Sequence, residues 1–401
     1  MKYLKKVSTI ADIANVEIPS VYFINSTDEV KYFGFEHAPF FMVAKDDYLD
    51  VKFSKEIDYS FDGKSWTTLA ANTYAPTINH GQKIYFRKIT TSGSCGKFTT
   101  NQIFDVGGNI MSLSYREDYF GKTTNRCNFA GLLADSYVES AALLLLPATE
   151  IDGGVYRGMF KNCSSLIEAP KLPAKVLSGE YCYDSMFEGC ISLEKAPELP
   201  ATTLSGFCYN SMFSGCTSLK EAPELPATSI KYSCYNGMFR GCTSLEKAPA
   251  LPAMSMDDSC YANMFSGCTS LKEAPELPAT SLYDVCYDSM FIGCTSLKKA
   301  PELPATTLAY ECYNYMFKGC TSLKEAPKLP ATTLEEECYY EMFAGCSSLS
   351  RIEMLATSIG PASLEDWVSG VASSGVFVKS ASLSLPSGDS GIPNGWTVEN
   401  V

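Results

Sequence analysis

The fold is decided by a 26-residue segment that recurs almost unchanged along the chain. One copy runs from Cys208 to Ser233 and reads C-Y-N-S-M-F-S-G-C-T-S-L-K-E-A-P-E-L-P-A-T-S-I-K-Y-S. Its Met-Phe pair recurs at a strict spacing of 26, and one further copy lies 27 residues before the first of these: Met159, then Met186, Met212, Met238, Met264, Met290, Met316 and Met342. Fixed periods of about 20 to 50 residues are typical of stacked repeats. The sequence therefore predicts a solenoid whose neighbouring copies bury a continuous core.

The first part of each copy has the spacing of a short helix. Apolar residues between Cys208 and Cys216 lie four, five and eight positions after the first cysteine, which would place them on one helical face. Gly215 follows in the last turn, where helices commonly end on a residue in the left-handed conformation. The earliest copy has Asn162 there, the next best residue for positive φ. The pattern predicts a helix closed by a left-handed residue.

The second part of each copy predicts a short extended segment. Leu219 and Leu225 are separated by charged residues, so we expect the leucines to point inward and the charges outward. Pro223 and Pro226 have no N–H group and should interrupt any ladder of hydrogen bonds. Ile230, after the following turn, is expected to point inward again.

The motif C-Y-x-x-M-F-x-G-C-T-S-L-x-x-A-P-x-L-P-A-T resembles the BspA-type leucine-rich repeat of surface proteins from anaerobic gut bacteria. The resemblance covers roughly Ile110 to Val401. The family's usual core is F-x-x-C-x-x-L-x-x-I-x-L-P, whereas here the strand part is one residue longer and carries Ala-Pro. The resemblance implies a right-handed leucine-rich-repeat solenoid with terminal caps, preceded by a β domain and used for binding.

Four parts are predicted along the chain, in an α+β fold. They are an N-terminal lead-in (residues 1–33, with strands at Val21–Ile24 and Val30–Phe33), an immunoglobulin-like β-sandwich (34–106), the repeat solenoid (107–349, its first copy degenerate) and a C-terminal cap (350–401).

Alternating side chains support the β domain. Leu49–Phe53 and Lys83–Arg87 alternate as half-buried strands do. The segments Ile57–Phe61 and Ser65–Leu69 flank Asp62-Gly63-Lys64, which is a hairpin signal.

The two ends of the repeat region are less regular, as expected of terminal repeats. Asn128–Leu132 is similar to M-F-x-G-C, and Leu146–Thr149 is similar to L-P-A-T. At the other end, Ser363–Ser373 predicts a helix and Gly375–Val378 a strand.

Cysteine is the most distinctive component of the composition. Of 17 cysteines, 14 form C-x7-C pairs, from Cys182/Cys190 to Cys338/Cys346. Zinc sites usually show closer pairs, and two helical positions eight residues apart are separated by about 12 Å. A ladder of reduced, buried thiols is therefore expected, with all 17 free. Disulfides between neighbouring copies and a metal site are the alternatives.

No residues predict catalysis, a cofactor or a metal. The two histidines, His37 and His80, lie in turn-like contexts without a partner at a recognisable spacing. The segment Ser60–Trp66 is similar to the Asp box of sialidases, but it is one residue short and occurs once. A tight turn with a buried Trp66 is the simpler interpretation.

Charge and hydropathy limit the partners. The formal net charge of −13 argues against nucleic acid and anionic membranes, and no stretch is long enough for a transmembrane helix. The residues before Asp12 do not form a convincing secretory signal. Either a signal was removed or export uses another route.

The residues that differ between copies indicate where a ligand could bind. The three positions before each Cys-Tyr vary freely, and Tyr232, Tyr283 and Tyr310 are candidate anchors there; unconstrained drift on a solvent face is the alternative. The leading hypothesis is a non-enzymatic, extracellular or cell-surface adhesion protein with a protein or glycan ligand. A phage virion structural or host-attachment component is the alternative, and a carbohydrate-active enzyme is a weaker one.

Overall fold

The computed structural model describes residues 37–88, 93–123 and 128–401; the predicted strands Val21–Ile24 and Val30–Phe33 lie outside them. These residues contain many short strands and one helix, α1 (Ser112–Tyr115). The strands are β1 (Phe41–Ala44), β2 (Tyr48–Leu49), β3 (Val51–Phe53), β4 (Ile57–Ser60), β5 (Thr67–Leu69), β6 (Ile78–Asn79), β7 (Lys83–Arg87), β8 (Phe98–Thr100), β9 (Phe104–Asn109), β10 (Val138–Leu145), β11 (Glu150–Ile151), β12 (Val176–Leu177), β13 (Thr203–Leu204), β14 (Arg351–Met354), β15 (Val376–Lys379) and β16 (Thr397–Asn400).

The N-terminal part is a six-stranded sheet in the order β10-β9-β1-β7-β4-β5, with the pairs β2-β6 and β3-β8 beside it. The predicted hairpin is confirmed, since β4 and β5 pair antiparallel with Ile57 opposite Leu69. The predicted strand Lys83–Arg87 is confirmed as β7. Phe40, Met42 and Phe86 face the core and are fully buried.

The sheet continues directly into the repeats. Strand β9 crosses residue 106 and pairs in parallel with β10. Ser140 of β10 in turn bridges to Glu168 of the first regular repeat. One cluster of buried side chains accordingly extends from Phe40 to Trp396.

The predicted helix between Cys208 and Cys216 is wrong. Those residues form consecutive turns, in which the N–H groups of Met212 and Ser214 donate to the carbonyl oxygens three residues earlier. The intervening N–H groups leave the repeat: that of Phe213 donates to the Met238 oxygen of the next copy at 2.9 Å. Half of the donors that a helix would satisfy internally therefore join neighbouring copies.

Left-handed residues make this arrangement possible. Within the same copy, Tyr209 (φ 61°), Ser211 (φ 51°) and Gly215 (φ 75°) have positive φ. The predicted positive φ at the glycine position is confirmed, and Asn162 has φ 60°. The reason is a turn and not a helix C-terminus, because a positive φ at the third residue of a turn reverses the peptide plane.

Side chains of equivalent positions stack into ladders through the repeats. Tyrosine rings lie 5.8–6.1 Å apart, centroid to centroid: Tyr156, Tyr183, Tyr209, Tyr235, Tyr261, Tyr287, Tyr313 and Tyr339. Phenylalanine rings lie 5.6–5.8 Å apart: Phe160, Phe187, Phe213, Phe239, Phe265, Phe291, Phe317 and Phe343. All are buried. Each copy thus buries its aromatic rings against the same rings of its neighbours.

The cysteines form a ladder of free thiols, with one exception. In the described residues 15 cysteines are free and buried, whereas Cys95 is disulfide-bonded. The expectation of 17 free thiols is therefore wrong at Cys95. The thiol of Cys216 donates to the Phe187 oxygen of the preceding copy at 3.1 Å, and the same contact recurs at 3.0–3.1 Å for Cys190, Cys242, Cys268, Cys294, Cys320 and Cys346.

The predicted extended segment is confirmed as a short one. Leu219, Leu225 and Ile230 are buried, and the charged residues between the leucines are exposed. Glu221 bridges in parallel to Lys195 and to Lys247 of the adjacent copies. The prolines limit most copies to such single bridges, because each removes a donor.

The terminal repeats differ from prediction in register and in local structure. Phe129 stacks on Tyr156 at 5.9 Å, and the Leu133 N–H donates to Met159. Leu132-Leu133, and not Asn128-Phe129, therefore occupies the Met-Phe position, and Ser136 occupies the cysteine position.

The predicted helix Ser363–Ser373 at the C-terminal end is wrong, because these residues continue the turns. The predicted strand after it is confirmed as β15, which lies between β14 and β16.

Candidate binding surface

One edge of the stack combines a regular backbone with variable side chains. We call it the variable edge: the three residues before each Cys-Tyr, at 179–181, 205–207, 231–233, 257–259, 283–285, 309–311 and 335–337. The third residue of a triplet has positive φ, as in Val285 (φ 62°). Its N–H donates to the second residue of the next triplet, and the Val285–Tyr310 bond is 3.0 Å long. The backbone is thus held in place while the side chains are free to differ.

Tyr232 lies on this edge, but its ring is held by neighbours. It packs edge-on against Phe207 with a centroid distance of 5.1 Å, and its hydroxyl donates to Glu180. That hydrogen bond is the largest of the effects that raise the pKa of Tyr232 to about 12. The ring also lies where a Cβ atom on Gly206 would be, 2.4 Å from the nearest ring atom. Only glycine at 206 allows this placement.

Tyr283 and Tyr310 extend further from the stack. Their exposed fractions are 52% and 41%, and they belong to adjacent triplets. The Tyr310 N–H donates to the Asp284 carboxylate at 3.2 Å. A hydrogen bond with Glu311 is the largest of the effects that raise the pKa of Tyr310 to about 12. These two predicted residues belong to neighbouring triplets, whereas Tyr232 lies two triplets nearer the N-terminal end.

The later triplets are strongly acidic. From residue 257 onward the variable edge carries Asp257, Asp258, Asp284, Glu311, Glu335, Glu336 and Glu337. Burial, followed by the nearby carboxylate of Glu311, raises the pKa of Glu337 above its usual range. Exposed tyrosines on adjacent repeats therefore stand in a negative field.

Sequence reasoning missed two aromatic residues of this edge. Tyr181 and Phe207 stack at 4.6 Å with an interplanar angle of 5°, and the Arg157 guanidinium lies 4.9 Å above the Tyr181 ring. Both occupy the third triplet position, 26 residues apart. Aligning the triplets by position would have shown that they face each other.

Thiol and metal chemistry are not supported by the geometry. Burial raises the pKa of Cys216 to about 12, and a buried thiol of that kind is inert because the thiolate is the reactive form. The parts of the chain that the structure describes contain no group of three or more His, Cys, Asp or Glu that could hold a metal ion. Within the same ranges no helix is long and apolar enough to cross a membrane.

The segment similar to an Asp box is a hairpin turn. The Asp62 carboxylate accepts hydrogen bonds from the backbone N–H groups of Lys64 (2.8 Å) and Ser65 (2.7 Å) and from the Ser60 hydroxyl (2.8 Å). These hydrogen bonds lower the pKa of Asp62, and the one from the Ser65 N–H contributes most. Trp66 is half-buried, not buried, and its ring lies 4.1 Å from the Arg87 guanidinium. The carboxylate is occupied by the turn.

Comparison with known proteins gives a family but no individual relative. The model of the BspA type leucine-rich repeat region matches residues 154–264 and 258–366, as six copies. Together these matches cover more than half of the chain. No curated protein and no solved structure is significantly similar to it. The chain therefore belongs to the BspA-type leucine-rich-repeat family, whose members are typically surface-associated, generally non-enzymatic and protein-binding.

Proposed function

We propose that this chain is a non-enzymatic, surface-displayed adhesion protein that presents its variable edge to a protein ligand outside the cell. Tyr283 and Tyr310 are the central anchors, and Tyr232 lies at the N-terminal side of the same edge. Tyrosine suits this role because it supplies a large contact area at low conformational cost.

The observation that carries the proposal is the contrast between the two sides of each repeat. The Tyr, Phe and Cys positions inside are buried and nearly unchanged from copy to copy. The triplets outside differ at every copy although their backbone bonds repeat. A fixed scaffold that carries changing side chains is what a binding surface requires.

The finer architecture is also part of the proposal. The parallel bridges and stacked rings support a right-handed solenoid over 107–349. The antiparallel strands β9-β1-β7-β4-β5, with the pairs β2-β6 and β3-β8, support an immunoglobulin-like β-sandwich for 34–106, and the three-stranded sheet β14-β15-β16 supports a cap over 350–401.

An array of extracellular matrix proteins and glycans, probed with the purified chain, tests the function. We expect binding to at least one protein, and at least tenfold weaker binding when Tyr283 and Tyr310 are both changed to Ala, because truncating an aromatic anchor costs about 2 kcal/mol or more. The matched control is the double variant Tyr48→Ala, Tyr137→Ala, which removes two rings of 41% and 46% exposure elsewhere. Equal losses in both double variants, or binding to glycans alone, would refute the proposal.

A further inference from the structure

In six consecutive repeats, from the one with Leu193 to the one with Leu323, the two residues after the buried leucine carry charge that alternates along the stack. All twelve are exposed. These repeats contribute one Glu and one Lys each, and the order reverses from copy to copy, with one exception; the repeats at the two ends carry Ile167-Glu168 and Ser350-Arg351 instead. The pairs are Glu194-Lys195, Lys220-Glu221, Glu246-Lys247, Lys272-Glu273, Lys298-Lys299 and Lys324-Glu325. Lys298 alone departs from the pattern, which requires Glu at that position.

The regular pairs neutralise each other across neighbouring repeats. Lys220 lies 2.8 Å from Glu194, and Lys272 lies 2.6 Å from Glu246. The next pair in this series would join position 298 to Lys324, and there two cations meet. None of the ion pairs formed within residues 37–88, 93–123 and 128–401 involves Lys298, Lys299 or Lys324. We call these three residues the lysine cluster.

The cluster is compact because its repeats are in contact. The Lys298 N–H donates to the Lys272 oxygen at 3.3 Å, and Glu273 bridges to Lys299. One repeat further, the rings of Phe291 and Phe317 stack at 5.6 Å. Like charges on directly adjacent strands are destabilising. A single break in an otherwise consistent pattern, made at a cost in stability, is typical of a functional position.

We infer that the lysine cluster binds an anionic polysaccharide, a chain that carries carboxylate or sulfate groups. Adjacent strands are about 4.8 Å apart, so Lys298 and Lys324, at equivalent positions of neighbouring repeats, follow one another along the stack axis. Lys299 lies next to Lys298 in the same repeat, at the position of Glu273 and Glu325 in the neighbouring repeats. Lysine ammonium groups are mobile point charges that suit carboxylate or sulfate without demanding a fixed geometry. This site lies apart from the variable edge and does not depend on the function proposed for that edge.

The surroundings of the cluster favour a polysaccharide over a peptide. Ala-Pro follows it in each repeat, as in Ala300-Pro301 and Ala326-Pro327. In the preceding repeats the same positions line a shallow groove, formed by Ala248, Pro249, Ala274 and Pro275. Proline offers no N–H to an added strand, and alanine forms no pocket for a peptide side chain.

Nucleic acid is disfavoured at the same place. The cluster contains no aromatic residue on which a base could stack. A linear glycan with spaced charges needs neither stacking nor a main-chain ladder.

Retention of the full chain on immobilised heparin and polygalacturonate tests the inference, with neutral dextran and poly-glutamate columns beside them. At about 0.01 M salt, where the screening length is about 30 Å, we expect retention on at least one anionic polysaccharide and elution by about 0.1 M. Heparin reports on sulfate and polygalacturonate on carboxylate. Lys298→Glu should weaken binding about tenfold or more, since each lysine near an anionic surface contributes about 1 kcal/mol and the change reverses a charge.

Lys171→Glu is the matched control. Lys171 is exposed in an earlier repeat, outside the alternating pairs, and the net charge changes equally. The Lys171→Glu variant should be retained on the columns as strongly as the unchanged chain. Lys298→Glu should also melt no lower than the unchanged chain, since its carboxylate lies one repeat from Lys324, as Glu194 lies from Lys220. Passage of the unchanged chain through both columns, equal losses in the two variants, or stronger retention on poly-glutamate would each overturn the inference.

Discussion

Replacement of Gly267 tests the turn structure of the repeats most simply. Gly267 has φ +74°, and a Cβ atom there would lie 3.7 Å from the Gly241 Cα, an ordinary contact. Gly267→Ala therefore meets no clash, and its cost comes from the backbone alone, about 1–2 kcal/mol for a left-handed residue with a side chain. Gly267→Asn should cost less, because Asn tolerates this conformation and Asn162 adopts it at the equivalent position with φ 60°. Gly267→Val should cost most, since a β-branched residue is rarely left-handed.

Urea unfolding under reducing conditions measures the series. The control is Ser266→Ala, next to the glycine and half-buried, which should change the free energy of unfolding by no more than about 0.5 kcal/mol. The expected order of destabilisation is Ser266→Ala, Gly267→Asn, Gly267→Ala, Gly267→Val. If Gly267→Ala is as stable as the control, or Gly267→Asn less stable than Gly267→Ala, the turn assignment is refuted.

Three further predictions follow from the buried groups. Titration of the denatured chain without reductant should find 15 thiols, since Cys95 is disulfide-bonded and 15 cysteines are free; a count near 17 or well below 15 would contradict this. Burial raises the pKa of Asp288 to about 6, so the folded state holds a proton that the unfolded state has released, and stability falls as pH rises from about 4 to 6. Asp288→Asn should therefore stabilise the chain at pH 7 by about 1–3 kcal/mol and lose that advantage near pH 4, whereas a pH-independent difference in melting temperature would disprove the shift. Phe265→Ala should cost about 3–5 kcal/mol, and Phe61→Ala, at a ring of 52% exposure, far less; similar urea midpoints would contradict the ring ladder.

The repeat, its buried face and its left-handed glycine could be predicted from the sequence because period and side-chain type determine them. Local structure could not. The spacing between Cys208 and Cys216 fits a helix and a run of turns equally well, and the choice depends on whether N–H groups bond within the repeat or to the next one. That choice is made by stacking, which only the assembled chain shows.

The degenerate first repeat shows the same limit of prediction from sequence alone. Its leucines at 132 and 133 resemble Met-Phe less than Asn128-Phe129 does, so residue similarity gave the wrong register. Stacking of Phe129 on Tyr156 sets the true one. The candidate surface was partly predicted: variation between copies indicated the triplets, but not that Tyr232 is held against Phe207.

Deletion of one internal repeat tests most directly whether the chain is a stack of equivalent repeats. Removing Cys234 to Ser259 joins Ser233 to Cys260. The bond from the Ser233 N–H to Asp258 can then be replaced by the one that Ser259 makes to Asp284, since both are 2.9–3.0 Å long. Removing 350–401 instead uncovers Phe343 and Leu349, both fully buried, and leaves an apolar end that promotes association. In size-exclusion chromatography we expect a folded, shorter monomer from the internal deletion and aggregates from the terminal one. An unfolded internal-deletion protein beside a monomeric terminal-deletion protein would contradict the account.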